Sequence, residues 1–232
     1  MHLRGRLYNH IVIFCVMILV AVVLSPRLCA QASPAPSSSA KHKKNPAPTA
    51  ELDPGSVTNG AYRNQSLGLT CKIPEGWVLR TEEMNGPDGN PPSDSSAGNA
   101  ASSVGAKVLL AAFSRPPAAR GEDVNSSILI AAESVSAYPG LKEAVQYLGP
   151  LTEVAQAQGF TADEEPYEIA IGTRALVRAD FHKDVGSRVM WQSTLAMLAH
   201  GYAVSITLIG GTEDEVEDLM DGLSFGATAA KK

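Results

Sequence analysis

Few residues in this 232-residue chain are of a type that could carry out acid–base or covalent chemistry. His182 and Asp184 stand two residues apart near the end of a predicted strand. A histidine beside a carboxylate can serve as a general base or bind a metal ion. The same pattern is typical of a polar surface turn, and we favour that interpretation. Cys71 is the other candidate, as a nucleophile.

The surroundings of Cys71 favour a structural role. It alternates with Leu67, Leu69 and Ile73, which places it on the apolar side of a strand. A thiol buried in this way is a poor nucleophile. The other two cysteines, Cys15 and Cys29, lie in the N-terminal segment, so no intrachain disulfide is expected once that segment is removed.

Other chemistry-bearing patterns are weak. The acidic runs at residues 163–165 and 213–218 could bind a divalent cation, but they are more typical of a solvated loop and a helix start. His200 lies at a predicted hairpin tip, where its tolerance of positive φ is a sufficient explanation. The zinc, redox, nucleophile-elbow and phosphate-loop patterns are absent from the sequence. We therefore predict no catalytic residue, no metal ligand and no cofactor.

The N-terminus predicts export. Two arginines precede an uninterrupted apolar run at residues 11–24, and Ser25-Pro26 ends it. The run suits a signal peptide and is short for a membrane span, which needs about 20 residues. Cleavage is expected after Ala30 or after Ala32. The alternative is an uncleaved anchor, which would tether an extracytoplasmic domain to the inner membrane.

The rest of the chain divides by composition. Residues 31–60 are rich in Ala, Pro, Ser and Lys and predict a disordered linker. Residues 61–226 predict one domain, with a long mobile loop at 81–105, and residues 227–232 a short tail. The domain holds 11 basic and 22 acidic residues, a net charge of −11. Nucleic acid is excluded as a partner, because phosphate affinity depends on Lys and Arg.

The domain shows mostly β-type periodicity. Apolar residues alternate with polar ones along residues 167–171, 175–181, 189–197 and 202–208, while 107–114 and 127–132 are continuous apolar runs. Two segments have helical spacing. One carries the stripe Leu141, Ala144, Val145, Leu148, Leu151 and Ala155, should be kinked or split at Gly149-Pro150, and ends near Gly159. The other begins at Thr212 with a capping box to Glu215. We predict an α+β fold, a central antiparallel sheet flanked by helices.

Short motifs in this domain resemble Mog1/PsbP-like domains. The opening Tyr62-Arg63-Asn64, Leu67-Gly68-Leu69 and Ile73-Pro74-Glu75-Gly76-Trp77 is similar to the first hairpin of that family. The turn at Gly172, the hairpin through His200-Gly201 and the helix before Leu223-Ser224-Phe225 resemble its second half. The matching positions are structural: Tyr62, Asn64, Gly68, Pro74, Gly76, Trp77, Gly172 and Gly201.

The resemblance implies an α/β/α sandwich and a non-catalytic role. Its familiar members are an accessory subunit of photosystem II and a nuclear Ran-binding protein, and similar domains of unassigned role are exported by bacteria. The predicted signal peptide excludes the nuclear role, and no matching residue supports photosystem binding.

Two functions follow from the sequence. The first is a non-catalytic exported module that binds an envelope protein or a small apolar ligand in a groove between sheet and helix. The alternative is an envelope enzyme that uses Cys71 or the pair His182 and Asp184.

Overall fold

A computed structural model describes residues 52–86, 106–116, 119, 123–138 and 140–226. The predicted signal peptide, most of the linker, residues 87–105 of the predicted loop and the tail lie outside the described residues. Among those described, no helix has the length and apolar character needed to cross a membrane.

The described elements are mainly strands, and the strand pairs among them are antiparallel. The strands are β1 Ser56–Thr58, β2 Ala61–Asn64, β3 Leu69–Lys72, β4 Val78–Leu79, β5 Lys107–Phe113, β6 Ser127–Ser134, β7 Thr161–Ala162, β8 Tyr167–Ile171, β9 Arg174–Val185, β10 Arg188–Ala199, β11 Tyr202–Gly210 and β12 Leu223–Phe225. The helices are α1 Thr81–Asn85, α2 Ala144–Ala157 and α3 Glu213–Asp221.

The large sheet has the strand order β4-β5-β6-β11-β10-β9-β7, and β8 also pairs with β9. It contains the β9–β10–β11 meander that the alternating sequence predicts. A two-residue turn at His200 (φ +53°) and Gly201 (φ +81°) joins β10 to β11. Positive φ at both turn residues matches the right-handed twist of a tight hairpin, so the turn fixes the register of the two strands.

The predicted single sheet is in fact two sheets. Strands β2 and β3 form the predicted N-terminal hairpin, but they belong to a separate sheet with the order β1-β2-β3-β12. Strand β12 reaches it after α3, by pairing Leu223 with Cys71. Strand β1 lies within the segment assigned to the linker, and Leu52 before it is buried. Ordered structure therefore begins before Ala61.

The two faces of the large sheet are covered differently. On one face, Leu195 and Ile206 pack in a core with α3 and the small sheet. On the other face, Ala196 and Ala203 pack in a core with α2. Helices thus lie against both faces, but one of the two outer layers is largely sheet.

Helix α2 differs from its predicted pattern. It begins at Ala144, after a capping box between Glu143 and Gln146, and it continues through Pro150 as one helix. Tyr147 is buried at the sheet and donates a hydrogen bond to Glu133 (Oη–Oε1 2.8 Å), whereas Val145 of the predicted stripe is 41% exposed. The helix ends before Gly159, whose φ of +87° lets the chain turn back.

The segment predicted as a loop at 81–105 opens with α1. Asn85 of this helix donates to the carbonyl oxygen of Val108 (2.8 Å) and accepts from its N–H (3.0 Å). These bonds pair the N–H and the carbonyl of Val108 on the open edge of β5, which reduces the tendency of this strand to pair with another chain.

Asn64 anchors the start of the small sheet. Its side chain is 1% exposed and donates to the carbonyl oxygen of Asp53 (2.6 Å) and to Tyr62 Oη (3.1 Å). Its Oδ1 accepts from the N–H of Leu67 (2.9 Å) and from Ser66 Oγ (2.8 Å). One amide therefore holds both the entering chain and the β2–β3 turn.

We expect Asn64→Ala to lower the free energy of unfolding by about 2–3 kcal/mol, because it leaves buried polar groups without partners. Urea denaturation measures the change. Gln65→Ala, at an exposed neighbour, is the control and should cost less than about 0.5 kcal/mol. Equal losses in the two variants would contradict the anchoring role of Asn64.

Candidate functional site

Cys71 is part of the core. Its side chain is 0% exposed, and it faces Tyr62 and Leu223 on the neighbouring strands. Burial raises the pKa of the thiol to about 12. Thiolate is the reactive form of cysteine, so Cys71 is neither ionised nor accessible at neutral pH.

Cys71 should therefore resist a thiol reagent at pH 8 in the native protein and react fully after denaturation. Labelling of the full chain, followed by peptide mass spectrometry, distinguishes Cys71 from Cys15 and Cys29. Native labelling of Cys71 at the rate of a small-molecule thiol would contradict its burial.

His182 pairs with a different carboxylate from the one the sequence suggests. Its Nδ1 forms a short contact with Asp163 Oδ1, and its ring lies 5.7 Å from the Trp191 ring, measured between centroids. Asp184 is exposed, and no ion pair joins it to another described residue. The predicted pair of His182 and Asp184 is thus not formed. Instead, β7 brings Asp163 alongside β9 by pairing Thr161 with His182.

Asp163 also lines a cavity of about 400 Å³, which we call the α3 pocket. One wall is the β7–β8 segment, the floor is β9 and β10, and the other wall is the first two turns of α3. The lining includes Asp163, Glu164 and Tyr167 on the first wall, Arg178, Asp180, Trp191 and Ser193 on the floor, and Glu213 and Glu217 on α3.

Asp180 organises the floor of this pocket. Its carboxylate accepts hydrogen bonds from Tyr167 Oη (2.8 Å) and from Ser193 Oγ. Arg178 Nε lies 2.9 Å from Asp180 Oδ1 and 2.8 Å from Oδ2. The Arg178 guanidinium also contacts Glu217 on α3. One carboxylate thus links β8, β9 and β10, and through Arg178 it links them to the helix.

The network shifts two pKa values. Burial raises the pKa of Tyr167 to about 12, helped by the hydrogen bond to Asp180 and its negative charge. Burial opposes the charge of Arg178, but hydrogen bonds to Glu217 and Asp180 outweigh it and raise the pKa of the guanidinium. Arg178 is therefore a fixed cation, and Tyr167 a fixed hydroxyl donor, over the physiological range.

The local sequence explains how α3 reaches the pocket. Thr212 is the N-cap, as predicted, and its Oγ1 accepts a hydrogen bond from the N–H of Glu215 (3.1 Å). The Glu215 carboxylate bonds to the N–H of Gly211 (2.8 Å) rather than to that of Thr212, so the predicted capping box is shifted by one residue. Val216 and Met220 are buried against the sheet, which directs Glu213 and Glu217 toward the pocket.

The lining of the α3 pocket combines polar and aromatic side chains. Ser193 is 1% exposed, and its hydroxyl donates to the Asp180 carboxylate that Arg178 and Tyr167 also engage. Among the described residues, no group of three or more His, Cys, Asp or Glu side chains could hold a metal ion. The pocket instead offers aromatic rings, a hydroxyl and several carboxylates.

The predicted structural positions lie apart from this pocket. Gly68, Gly76, Gly172 and Gly201 each have positive φ, and Tyr62 is buried. Trp77 is half-buried against the main core, and Pro74 is exposed. Their conformations suit turns and packing, and none of them lines the α3 pocket.

Two further cavities of similar size lie elsewhere on the described surface. One, of about 500 Å³, lies between β1 and α1 and exposes Val57 and Leu79. The other, of about 480 Å³, lies between the start of α2 and β8. Neither contains a polar network comparable to that around Asp180.

Comparisons with known proteins add little to this geometry. No family model and no curated protein matches the sequence. Among solved structures, the chain is similar to PA94, a protein of unknown function from Pseudomonas aeruginosa, with 16% identity, 69% of this chain and 88% of that chain covered, and a TM-score of 0.34. It is also similar to LpqN, involved in cell envelope biogenesis of Mycobacterium tuberculosis. The identity is 14%, the match covers 74% of this chain and 85% of that chain, and the TM-score is 0.34. Similarity this distant supports no conclusion about family or function, and the Mog1/PsbP-like resemblance stays a prediction.

Replacing Asp180 tests the network. We expect Asp180→Asn to lower the pKa of Tyr167 from about 12 toward its ordinary value of 10.0, because it removes the charge that disfavours the phenolate. The pKa of Tyr167 should stay above its ordinary value, since burial is the larger cause of the shift and is unchanged in the variant.

An NMR pH titration of ¹³C-labelled tyrosine measures this shift, with Tyr167→Phe to assign the signal. Glu168→Gln on β8 is the matched control and should leave the titration unchanged. A Tyr167 pKa that stays at about 12 in Asp180→Asn would contradict the role given to Asp180.

Proposed function

We propose that this chain is a non-catalytic exported module that binds a small polar ligand in the α3 pocket. The observation that carries the proposal is the hydrogen-bonded floor around Asp180, beneath a cavity of about 400 Å³. A pocket whose polar groups are already fixed loses little entropy when a ligand binds. The polar lining leads us to a polar ligand, in place of the apolar one predicted from sequence.

Export is the part of the proposal that rests on sequence alone. The basic start, the apolar run at 11–24 and the small residues at 30–32 support it. The ligand would then be a component of the envelope or of the medium outside the cell.

We also propose a Mog1/PsbP-like architecture at the finer level. The Pro74–Trp77 turn, the long meander and helices against both faces of the large sheet support it. This part of the proposal concerns fold only, since fold similarity does not transfer function.

One observation favours the enzyme alternative. The contact between His182 Nδ1 and Asp163 orients the imidazole as a general base would be oriented, at the margin of the α3 pocket. The enzyme case would require that a bound compound be converted to product, and that His182→Ala abolish the conversion.

A ligand-binding experiment tests the proposal. We would record ¹⁵N–¹H spectra of the full chain with a library of anionic, neutral and cationic polar compounds. We expect the bound compounds to shift the Trp191 indole N–H together with the amides of Asp163, Tyr167 and Glu213, and to be recovered unchanged.

The location of the shifts decides the outcome. Shifts confined to the groove between β1 and α1, or to no single surface, would contradict the proposed site. Recovery of a chemically altered compound, lost in His182→Ala, would replace the binding module with the enzyme.

A further inference from the structure

Negative charge is in excess in the lining of the α3 pocket. Within the described part of the chain, five carboxylates line it and Arg178 is its one guanidinium or ammonium group. Arg178 is already engaged by Asp180 and Glu217. The five carboxylates belong to Asp163, Glu164, Asp180, Glu213 and Glu217.

Two of these carboxylates are not engaged. Asp163 contacts His182, while Asp180 and Glu217 contact Arg178. By contrast, no hydrogen bond or ion pair joins Glu164 or Glu213 to another described side chain. They stand on different walls, Glu164 in the β7–β8 segment and Glu213 at the first residue of α3.

Aromatic ring surface also borders the space between the two walls. Trp191 lines the pocket as a half-buried indole beside the His182 ring, whereas the Tyr167 ring is already covered by the Arg178 guanidinium, 5.9 Å from its centroid. Aromatic faces attract organic cations and also cover methylene groups. A hydrated metal ion would gain nothing from this surface.

We infer that the ligand of the α3 pocket is an aliphatic diamine, with one ammonium group paired to Glu164 and the other to Glu213. This inference rests on the proposed function and narrows it to one chemical class. The methylene chain of the diamine lies against Trp191. The high net negative charge of the domain, −11 over residues 61–226, raises the local concentration of such cations.

A matched set of four-carbon compounds tests the inference on the full chain. Isothermal titration calorimetry would measure binding of 1,4-diaminobutane, 1-aminobutane, 1,4-butanediol and succinate. Trp191 fluorescence in a Trp77→Phe background would report whether binding occurs in the pocket. We expect the diamine to bind about tenfold more tightly than the monoamine, since each engaged carboxylate adds a charge-assisted hydrogen bond. The diol and succinate should not bind.

Neutralising variants locate the two ammonium groups. Glu164→Gln and Glu213→Gln should each weaken diamine binding about tenfold, to the level of the monoamine, and the double variant should abolish it. Both residues are exposed, so folding should be preserved, and thermal melts check this. Glu168→Gln removes the same charge outside the pocket and should change affinity by less than about twofold.

Several results would overturn the inference. If Glu168→Gln weakened binding as much as Glu164→Gln, only the overall charge would be acting. If calcium displaced the diamine, and if Glu164→Gln and Glu213→Gln weakened calcium binding, the site would be a metal site. If the diol or succinate changed Trp191 fluorescence and the diamine did not, the proposed pocket would stand and the diamine class would be wrong. If neither this set nor the wider library bound at Trp191, both proposals would fall.

Discussion

The α3 pocket depends on the antiparallel register of β9 and β10. In that register Asp180 stands opposite Ser193, and His182 stands opposite Trp191. Side chains alternate between the two faces of a strand, so these four residues share one face, while Phe181 packs in the core beside α2. A slip of one residue would move the polar set into that core. The turn between β9 and β10, which pairs Val185 with Arg188 and has Gly186 at φ +65°, therefore sets the floor of the pocket before any ligand is present.

Burying the polar network at this face costs desolvation free energy, and contacts formed on folding offset that cost. Desolvating Asp180 and Arg178 is unfavourable, and each needs several partners to offset it. Tyr167, Ser193 and Glu217 provide those partners from three different elements. Folding thus fixes the direction of the polar groups around Asp180. The proposed diamine would bind at the two carboxylates that remain, Glu164 and Glu213.

Local sequence was enough to predict some of these elements. The alternation in β9 through β11, the hairpin at His200-Gly201 and the N-cap at Thr212 depend on neighbouring residues, and the structure has all three. Long-range pairing was not predictable in this way. Asp163 reaches His182 only because β7 pairs with β9, whereas Asp184 was suggested by mere proximity in sequence. Likewise, nothing near Leu223 indicates that it pairs with Cys71 in a second sheet. The acidic run at 163–165 was the available signal for the pocket, and alone it resembles any solvated loop.

A crystal structure of the full chain grown with 1,4-diaminobutane tests the central claim most directly. The account predicts one ordered diamine over Trp191, with its nitrogens at hydrogen-bond distance from Glu164 and Glu213. Asp180 should still contact Arg178, Tyr167 and Ser193, because the floor is formed in advance. A structure in which Arg178 leaves Asp180 and fills the cavity, or in which the diamine is ordered only elsewhere on the surface, would contradict it.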